Sequence, residues 1–479
     1  MSVSSGWRTQ QSMARARRAA APPSPANNLT LAAEGPAAAA LSPVPQARPK
    51  RPLVPLSAFP PAALVYAIAL VGIVAIRAHE LVPVIGIVRP ALTLSILSLA
   101  VLVFRADPVV RSSALNDISV KLCAAYFGWG LLTAPFSLWP NAAIMFAVTT
   151  GLPAIVMLLA MLLSPPTTRS SDRLTIGFVC FASIHILGLR FLGSDGSGRL
   201  TGDGAFDSND LASITAITFP LAISLVLRYK GMVRMIGLGG TALTLAGMQW
   251  FNSRGGTLAM LAGMMTLIIL QKGSRRWGFL GLVVLGGAVT WFTASQDYRD
   301  RIIGIGDLQN DYNVTEYDGR EQVWQRGRGY IIHNPVFGVG MNQFAVMEGQ
   351  TLKEKGLHGK WSAPHNAYLQ AFAELGIPGG CIFVAILVVG LTRAKRLAQP
   401  KDPPSTGVIP HPEFLASLVA FAAGAYFLSH AYFYAMFALT GMIGLATGVN
   451  ARLVAAATGA TGLQPVTRNG ARLRAARQG

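Results

Sequence analysis

The stretch "LASITAITFPLAISLVLRYKGMVRMIGLGGTALTLAGMQWF", residues 211–251, decides the fold. Two apolar runs, 211–227 and 233–251, flank a connector that carries Arg228, Lys230 and Arg234. Each run approaches the roughly 20 residues an α-helix needs to cross about 30 Å of hydrocarbon. The charge is confined to the gap between them. That is the signature of a membrane-crossing hairpin rather than of a soluble helix pair.

Outward from this unit the same pattern recurs. Apolar runs occupy 57–76, 85–104, 119–138, 142–163, 174–193, 211–227, 233–251, 256–271, 277–292, 374–391, 413–430 and 433–449. In the second, Arg89 and Pro90 interrupt the apolar sequence, with Arg89 able to snorkel to an interface. Composition agrees: the 479 residues are 52% hydrophobic and only 13% charged, with a mean hydropathy of +0.45. Soluble chains carry about 25% charged residues.

Charge tests the count, because cytoplasmic connectors are rich in Lys and Arg. With the N-terminal tail placed inside, the inner connectors carry Arg105 and Arg111, then Arg169 and Arg173, then Arg228, Lys230 and Arg234. Lys272, Arg275 and Arg276 follow, then Arg393, Lys395, Arg396 and Lys401. The C-terminal tail, with Arg452, Arg468, Arg472, Arg474 and Arg477, also falls inside. Dropping one run would break the alternation from that point on. The expected fold is therefore an all-α polytopic membrane protein with about 12 transmembrane helices and both termini cytoplasmic. One large outer loop joins helices nine and ten.

The expected organisation is a disordered basic tail over 1–56, helices one to nine over 57–292, and the large outer loop over 293–365. An interfacial helix and helices ten to twelve follow over 366–450, then a basic tail over 451–479. The first tail is rich in Ala, Pro, Ser and Arg, lacks an apolar run, and is not expected to be a secretory signal peptide. Both tails suit association with anionic membrane lipid. The outer loop holds eight Lys/Arg against nine Asp/Glu, with Trp324 and Trp361.

The net charge of +19 raises nucleic-acid binding, but the basic residues lie in tails and connectors rather than on one basic face. No nucleic-acid partner is expected. Cys123, Cys180 and Cys381 each sit in an apolar run without metal-ligand spacing, and read as small core residues.

Once the inner arginines are explained, the outer Arg190, Arg199, Arg254 and Arg320 stand out, since ionisable groups near membrane depth mark substrate paths. In "LRFLGSDGSGRLTGDGAFDSNDLA", 189–212, Arg190 closes the fifth run and Arg199 precedes Ser208, Asn209 and Asp210, which open the sixth. Asn209 or Asp210 also reads as a helix cap. A calcium loop of Asp203, Asp207 and Asp210 lacks EF-hand spacing, and no metal site is expected. In "NSRGGTLAM", 252–260, Arg254 and two glycines open the eighth run. Either the helix start and the guanidinium hold an anion, or Arg254 is an interfacial arginine. In "YDGREQVWQRGRGYIIHNPVFGVGMNQF", 317–344, Gly319-Arg320 opens a structured segment, and His333-Asn334 reads as a turn cap before Pro335.

The fourth stretch is "SAPHNAYLQAFAELGIPGG", 362–380. Pro364 breaks the loop, His365-Asn366 start a helix to Leu375, and Gly376, Pro378 and Gly379 kink it. His365 at the outer interface is either hydrogen-bonded to the loop or a base for a hydroxyl proton. Glu374 reads as an interhelical hydrogen-bond partner.

Together these residues resemble the O-antigen ligase and polysaccharide polymerase family of bacterial inner-membrane glycosyltransferases. The family pattern of His, Asn/Ser/Gln, nine residues, Gly, two residues, Gly is met by His365, Asn366, Gly376 and Gly379. The SRGG at 253–256, the loop arginine and Asn-led helix at 199–209, and the run at 319–340 are similar too. The resemblance spans roughly 60–450. It implies a polyprenyl-diphosphate-linked glycan as donor, an acceptor glycolipid or lipid-linked repeat unit, no cofactor, and a site facing the periplasm. It implies that Arg190 or Arg199, with Arg254, grips the diphosphate, that Arg320 completes the pocket with Asn209 and Asn366, and that His365 acts on the acceptor hydroxyl. Ligase is the leading expectation and polymerase the alternative within the family. A lipid-linked oligosaccharide flippase or other transporter is the rival from another class, though no internal repeat supports it.

Overall fold

The computed structural model describes residues 54–76, 87–192, 208–303, 319–357 and 361–459. Among these the chain is all-helical. In order run α1 (Ala62–Ile76), α2 (Pro90–Arg105), α3 (Pro108–Leu115), α4 (Ile118–Thr133), α5 (Pro140–Leu162) and α6 (Thr168–Leu192). Then come α7 (Ser208–Arg228), α8 (Gly231–Phe251), α9 (Arg254–Leu270), α10 (Ser274–Thr293) and α11 (Gln296–Ile303). The last are α12 (Arg320–His333), α13 (Phe344–Glu354), α14 (Ala367–Ala398), α15 (Pro412–Ala425) and α16 (Tyr434–Ala457). Residues 1–53 and 460–479, which hold most of both tails, lie outside the described residues.

The protein is a polytopic membrane protein. Six helices are long and apolar enough to cross a bilayer: α5, α6, α7, α10, α14 and α16. Shorter apolar helices are α1, α2, α9 and α15. Each of the twelve apolar runs contains a helix among the described residues. The Arg89-Pro90 pair does not interrupt a helix but starts one, with Arg89 at φ 45° and Pro90 as the first residue of α2. A residue before proline avoids the right-handed helical region, and proline suits the first helical position. Pro108, Pro140 and Pro412 open their helices in the same way.

Helix α7 is the centre of the bundle. It is buried from Leu211 to Leu225 and packs against α8, α9 and α15. Residues from connectors of one predicted side meet at one end. Arg228 pairs with Glu413 at 2.6 Å, Arg393 with Asp117 at 2.8 Å, and Arg452 donates to Val54 O at 2.6 Å.

At the opposite end α14 breaks. Gly376 has φ 68° and ψ −175°, a conformation open essentially to glycine alone. Pro378 has no N–H for the carbonyl of Glu374, one turn back. The 335–340 segment supplies what is lost: Gly340 N–H donates to Glu374 O and Val339 N–H to Ala373 O, both at 2.9 Å. Ile377 N–H turns to Pro335 O at 2.8 Å, and the Trp129 indole donates to Leu375 O at 2.9 Å. Each buried backbone group left without such a partner would cost about 1–3 kcal/mol.

The approach is close enough to require glycine on both sides. A Cβ on Gly376 would lie 2.2 Å from Val336 O, and one on Gly338 would lie 2.3 Å from Glu374 O. Gly376→Ala is expected to lower the thermal melt of the detergent-purified protein, with strain alone costing about 1–3 kcal/mol. Gly329→Ala, on α12 with open space around it, is expected to leave the melt unchanged or raise it, by up to ~1 kcal/mol. Equal melts for the two variants would remove this account of the break.

Candidate functional site

Four sequence stretches far apart in the chain meet at the end of the bundle where α14 breaks. The first junction is built on Ser253. Its hydroxyl oxygen caps α9 by accepting from Gly256 N–H at 3.1 Å and donates to Asn209 Oδ1 at 2.7 Å. Arg254 is thereby fixed as the first residue of α9, half-buried, beside the first turn of α7. Gly255 and Gly256 have a packing reason. A Cβ on Gly255 would meet Phe427 at 2.9 Å, and one on Gly256 would meet Ala212 at 2.4 Å. Asn209 does not cap α7, as the sequence suggested, but sits inside its first turn and ties it to α9.

The second junction is the turn between α15 and α16. His430 Nε2 lies 2.8 Å from Asp210 Oδ1, next to Asn209, and His430 Nδ1 lies 3.3 Å from Ser213 Oγ. The ring is buried and stacked on Phe433 at 4.2 Å between centroids. The neighbouring Ser429 accepts the His365 N–H on its Oγ at 2.9 Å. His365 adopts φ 45°, half-buried, immediately before α14. Asn366 caps that helix, its Oδ1 accepting from Leu369 N–H at 3.0 Å.

Residues of the 293–365 segment and the end of α6 complete the site. Trp324, one turn after Arg320, donates its indole N–H to Pro364 O at 2.7 Å and packs edge-on against Tyr426 at 5.6 Å. Arg320 opens α12 and is half-buried. Arg190, near the end of α6, is exposed and lies 5.6 Å from the ring centroid of Trp250, just before Asn252 and Ser253. Arg199, Asp203 and Asp207 lie outside the described residues. Among the described residues, no three His, Cys, Asp or Glu side chains gather as a metal would require.

Two buried carboxylates hold the loop in place. Glu374 accepts from Asn342 N–H at 2.8 Å, Phe344 N–H at 3.1 Å and Tyr432 OH at 2.7 Å, so it caps α13 and joins it to α14 and the 429–434 turn. It is the interhelical partner expected from the sequence. Glu348 pairs with Arg326 Nε at 2.7 Å and accepts from Tyr330 OH at 2.9 Å. Burial pushes the Tyr330 hydroxyl above its usual range, so it remains a donor. His333 and Asn334 bond back to Gly329 O and Tyr330 O at 2.7 and 3.2 Å, and end α12 as a cap.

A run of contacts therefore links Arg254, Ser253, Asn209, Asp210, His430, Ser429 and His365. Residues 239–384 match the O-antigen ligase family model. This is a family of enzymes, and the match takes in just under a third of the chain. No curated protein matches the chain. The matched segment contains Arg254, Arg320, His365, Gly376 and Gly379; it leaves out Arg190, Asn209 and the whole 426–433 turn. Sequence reasoning missed Asp210 as a partner of His430, and missed Ser429 and Tyr432. The available signal was "FLSHAYFY", 427–434, a polar interruption between two apolar runs that was absorbed into their ends.

Ser253→Ala removes the α9 cap, worth about 1 kcal/mol, and the bond to Asn209; Ser253→Thr keeps both. Glu374→Leu strands two N–H groups and a hydroxyl, each costing about 1–3 kcal/mol. Thermal melts of the purified variants are expected to fall in the order wild type, Ser253→Thr, Ser253→Ala, Glu374→Leu. A Glu374→Leu melt at or above that of Ser253→Ala contradicts the role given to Glu374.

Proposed function

We propose that the protein transfers a glycan from a polyprenyl diphosphate carrier onto a sugar hydroxyl, at the periplasmic face of a bacterial inner membrane, as an O-antigen ligase. The observation that carries this reading is the run of contacts from Arg254 to His365. It connects a helix N-terminus with an arginine, through three hydrogen bonds, to the backbone of a histidine from a segment more than a hundred residues away. On this reading all twelve apolar helices cross the bilayer and both termini are cytoplasmic. Helices α11, α12 and α13 belong to the periplasmic loop.

The chemistry suits these groups. In a single displacement the acceptor oxygen bonds to the anomeric carbon as the bond from that carbon to the diphosphate oxygen breaks. The leaving diphosphate keeps the electron pair, and the hydroxyl proton passes to His365. Diphosphate needs no proton to leave, so the protein's work is to steady the charge that grows on it. Arg254 at the start of α9 provides a planar donor fork where backbone N–H groups also point outward. Arg320 and Arg190 lie at the same end and add positive charge. Inversion at the anomeric carbon is the expected outcome. Asn209 and Asn366 shape the site through the bonds that place α7, α9 and α14.

The test is the glycan profile of a strain lacking the protein, complemented with wild type, Arg254→Ala or His365→Ala. Long polymer stranded on the carrier over bare lipid A-core is the expected result. Single repeat units stranded there would replace ligase by polymerase, and an unchanged profile would favour transport. Both variants are expected to accumulate in the membrane at wild-type levels and to lower transfer at least ~100-fold, the scale of losing a charge-stabilising donor. Full complementation by either variant removes that residue from the site.

A further inference from the structure

A cavity of about 480 Å³ lies beside the contacts that link Arg254 to His365, bounded by α1, α5 and the 429–434 turn. Its size falls within the roughly 300–1,000 Å³ of small-molecule sites. Its lining divides in two. Asp210, Asn342, Gln370, Ser429 and His430 form a polar part, and Ile73, Phe146 and Met157 belong to an apolar part.

Charge decides what this space is built for. No Lys or Arg is among its described lining residues, and an aspartate is. A diphosphate would meet a carboxylate there without a cation to offset it, so the donor's anionic group belongs at Arg254 rather than in the cavity. A bare hydrocarbon chain would offer no hydrogen-bond partner to the exposed side chain of Asn342 or to the remaining acceptor and donor capacity of the polar part. A carboxylate and two amides offer paired acceptors and donors that match neighbouring hydroxyls. The rings of Phe146, Tyr432, Phe433 and Tyr434 offer faces to C–H groups. This is the chemistry of a neutral, polyhydroxylated ligand.

The carboxylate is held in place. A carboxylate only accepts hydrogen bonds, so His430 Nε2 carries the proton of its 2.8 Å contact with Asp210, and Nδ1 is left to accept from the Ser213 hydroxyl. Stacking on Phe433, with the rings 6° from parallel, fixes the plane of the imidazole. Asn342 is placed just as firmly. Its backbone sits at φ 59° with its N–H on Glu374, while the side chain is exposed.

We propose that this cavity seats the acceptor sugar, with Asp210 and Asn342 hydrogen-bonding its hydroxyls and His430 positioning the Asp210 carboxylate. The proposal rests on the reading of the protein as a glycan transferase and gives that reading an acceptor subsite. Its placement fits: Asp210 follows Asn209, which touches the cap of the Arg254 helix, and Ser429 holds the His365 backbone. Asp210 and His430 both lie outside the residues matched to the O-antigen ligase family.

The test is saturation-transfer NMR on the full chain in detergent micelles, with methyl glycosides of glucose, galactose and N-acetylglucosamine as probes. It needs no donor turnover, so it fails separately from the glycan profile. At least one glycoside is expected to receive saturation from wild type. Its apparent Kd is expected to rise at least ~5-fold in Asn342→Gly, which keeps the backbone angle and the bond to Glu374. A similar rise is expected in Asp210→Asn, which keeps an acceptor for His430. His430→Phe is expected to weaken the glycoside while Asn342→Gly and wild type melt at the same temperature. Undecaprenyl phosphate is expected not to compete. No saturation of any glycoside, equal affinity in the first two variants, or displacement by undecaprenyl phosphate would overturn the proposal.

Discussion

The end of the bundle that holds the candidate site depends on one exchange of backbone hydrogen bonds. At Gly376 helix α14 gives up its own ladder, and the 335–340 segment takes its place through Val339, Gly340 and Pro335. In a bilayer such a break is tolerated only where protein satisfies the freed groups. The exchange pins the outer loop to a membrane helix without a large apolar interface. A small cluster of Val323, Tyr330, Val339, Phe344 and Ala373 then closes over the joint. Glu374 beside the break turns the same place into the cap of α13 and an anchor for Tyr432.

Paired arginines tie the chain together at both ends of the bundle. At one end arginines are paired and spent on structure, as in Arg228 with Glu413 and Arg393 with Asp117. Such pairs, partly shielded from water, tie connectors together and complement the positive charge that orients a membrane protein. At the other end Arg326 pairs with Glu348, Arg190 lies against an indole face, and Arg254 opens α9. The cavity beside the contacts that link Arg254 to His365 is lined by an aspartate and by no Lys or Arg among its described lining residues.

Much of this was legible in the chain itself. Apolar runs of membrane-spanning length and basic connectors identified twelve helical segments, and the prolines at 90, 140 and 412 mark where three of them start. The motif at 365–379 located the cap and the break in α14, because only glycine can take the angles at 376 and only proline removes the hydrogen bond at 378. The glycines at 255 and 256 have a packing reason that only the fold shows, since each makes room for a neighbouring element.

Local sequence determined these features because hydrophobic length, connector charge, and Gly or Pro backbone limits act within a few residues. The partners of Asp210, His430, Ser429 and Glu374 were decided only by tertiary structure. His430 and Asp210 are 220 positions apart, and each alone reads as an ordinary polar residue at a helix end. Nothing in the spacing of either encodes the other, since their contact exists only when α7, α9 and the α15–α16 turn pack together. The cavity has the same origin: its polar and apolar lining comes from elements spread across the chain, joined by packing rather than by any motif.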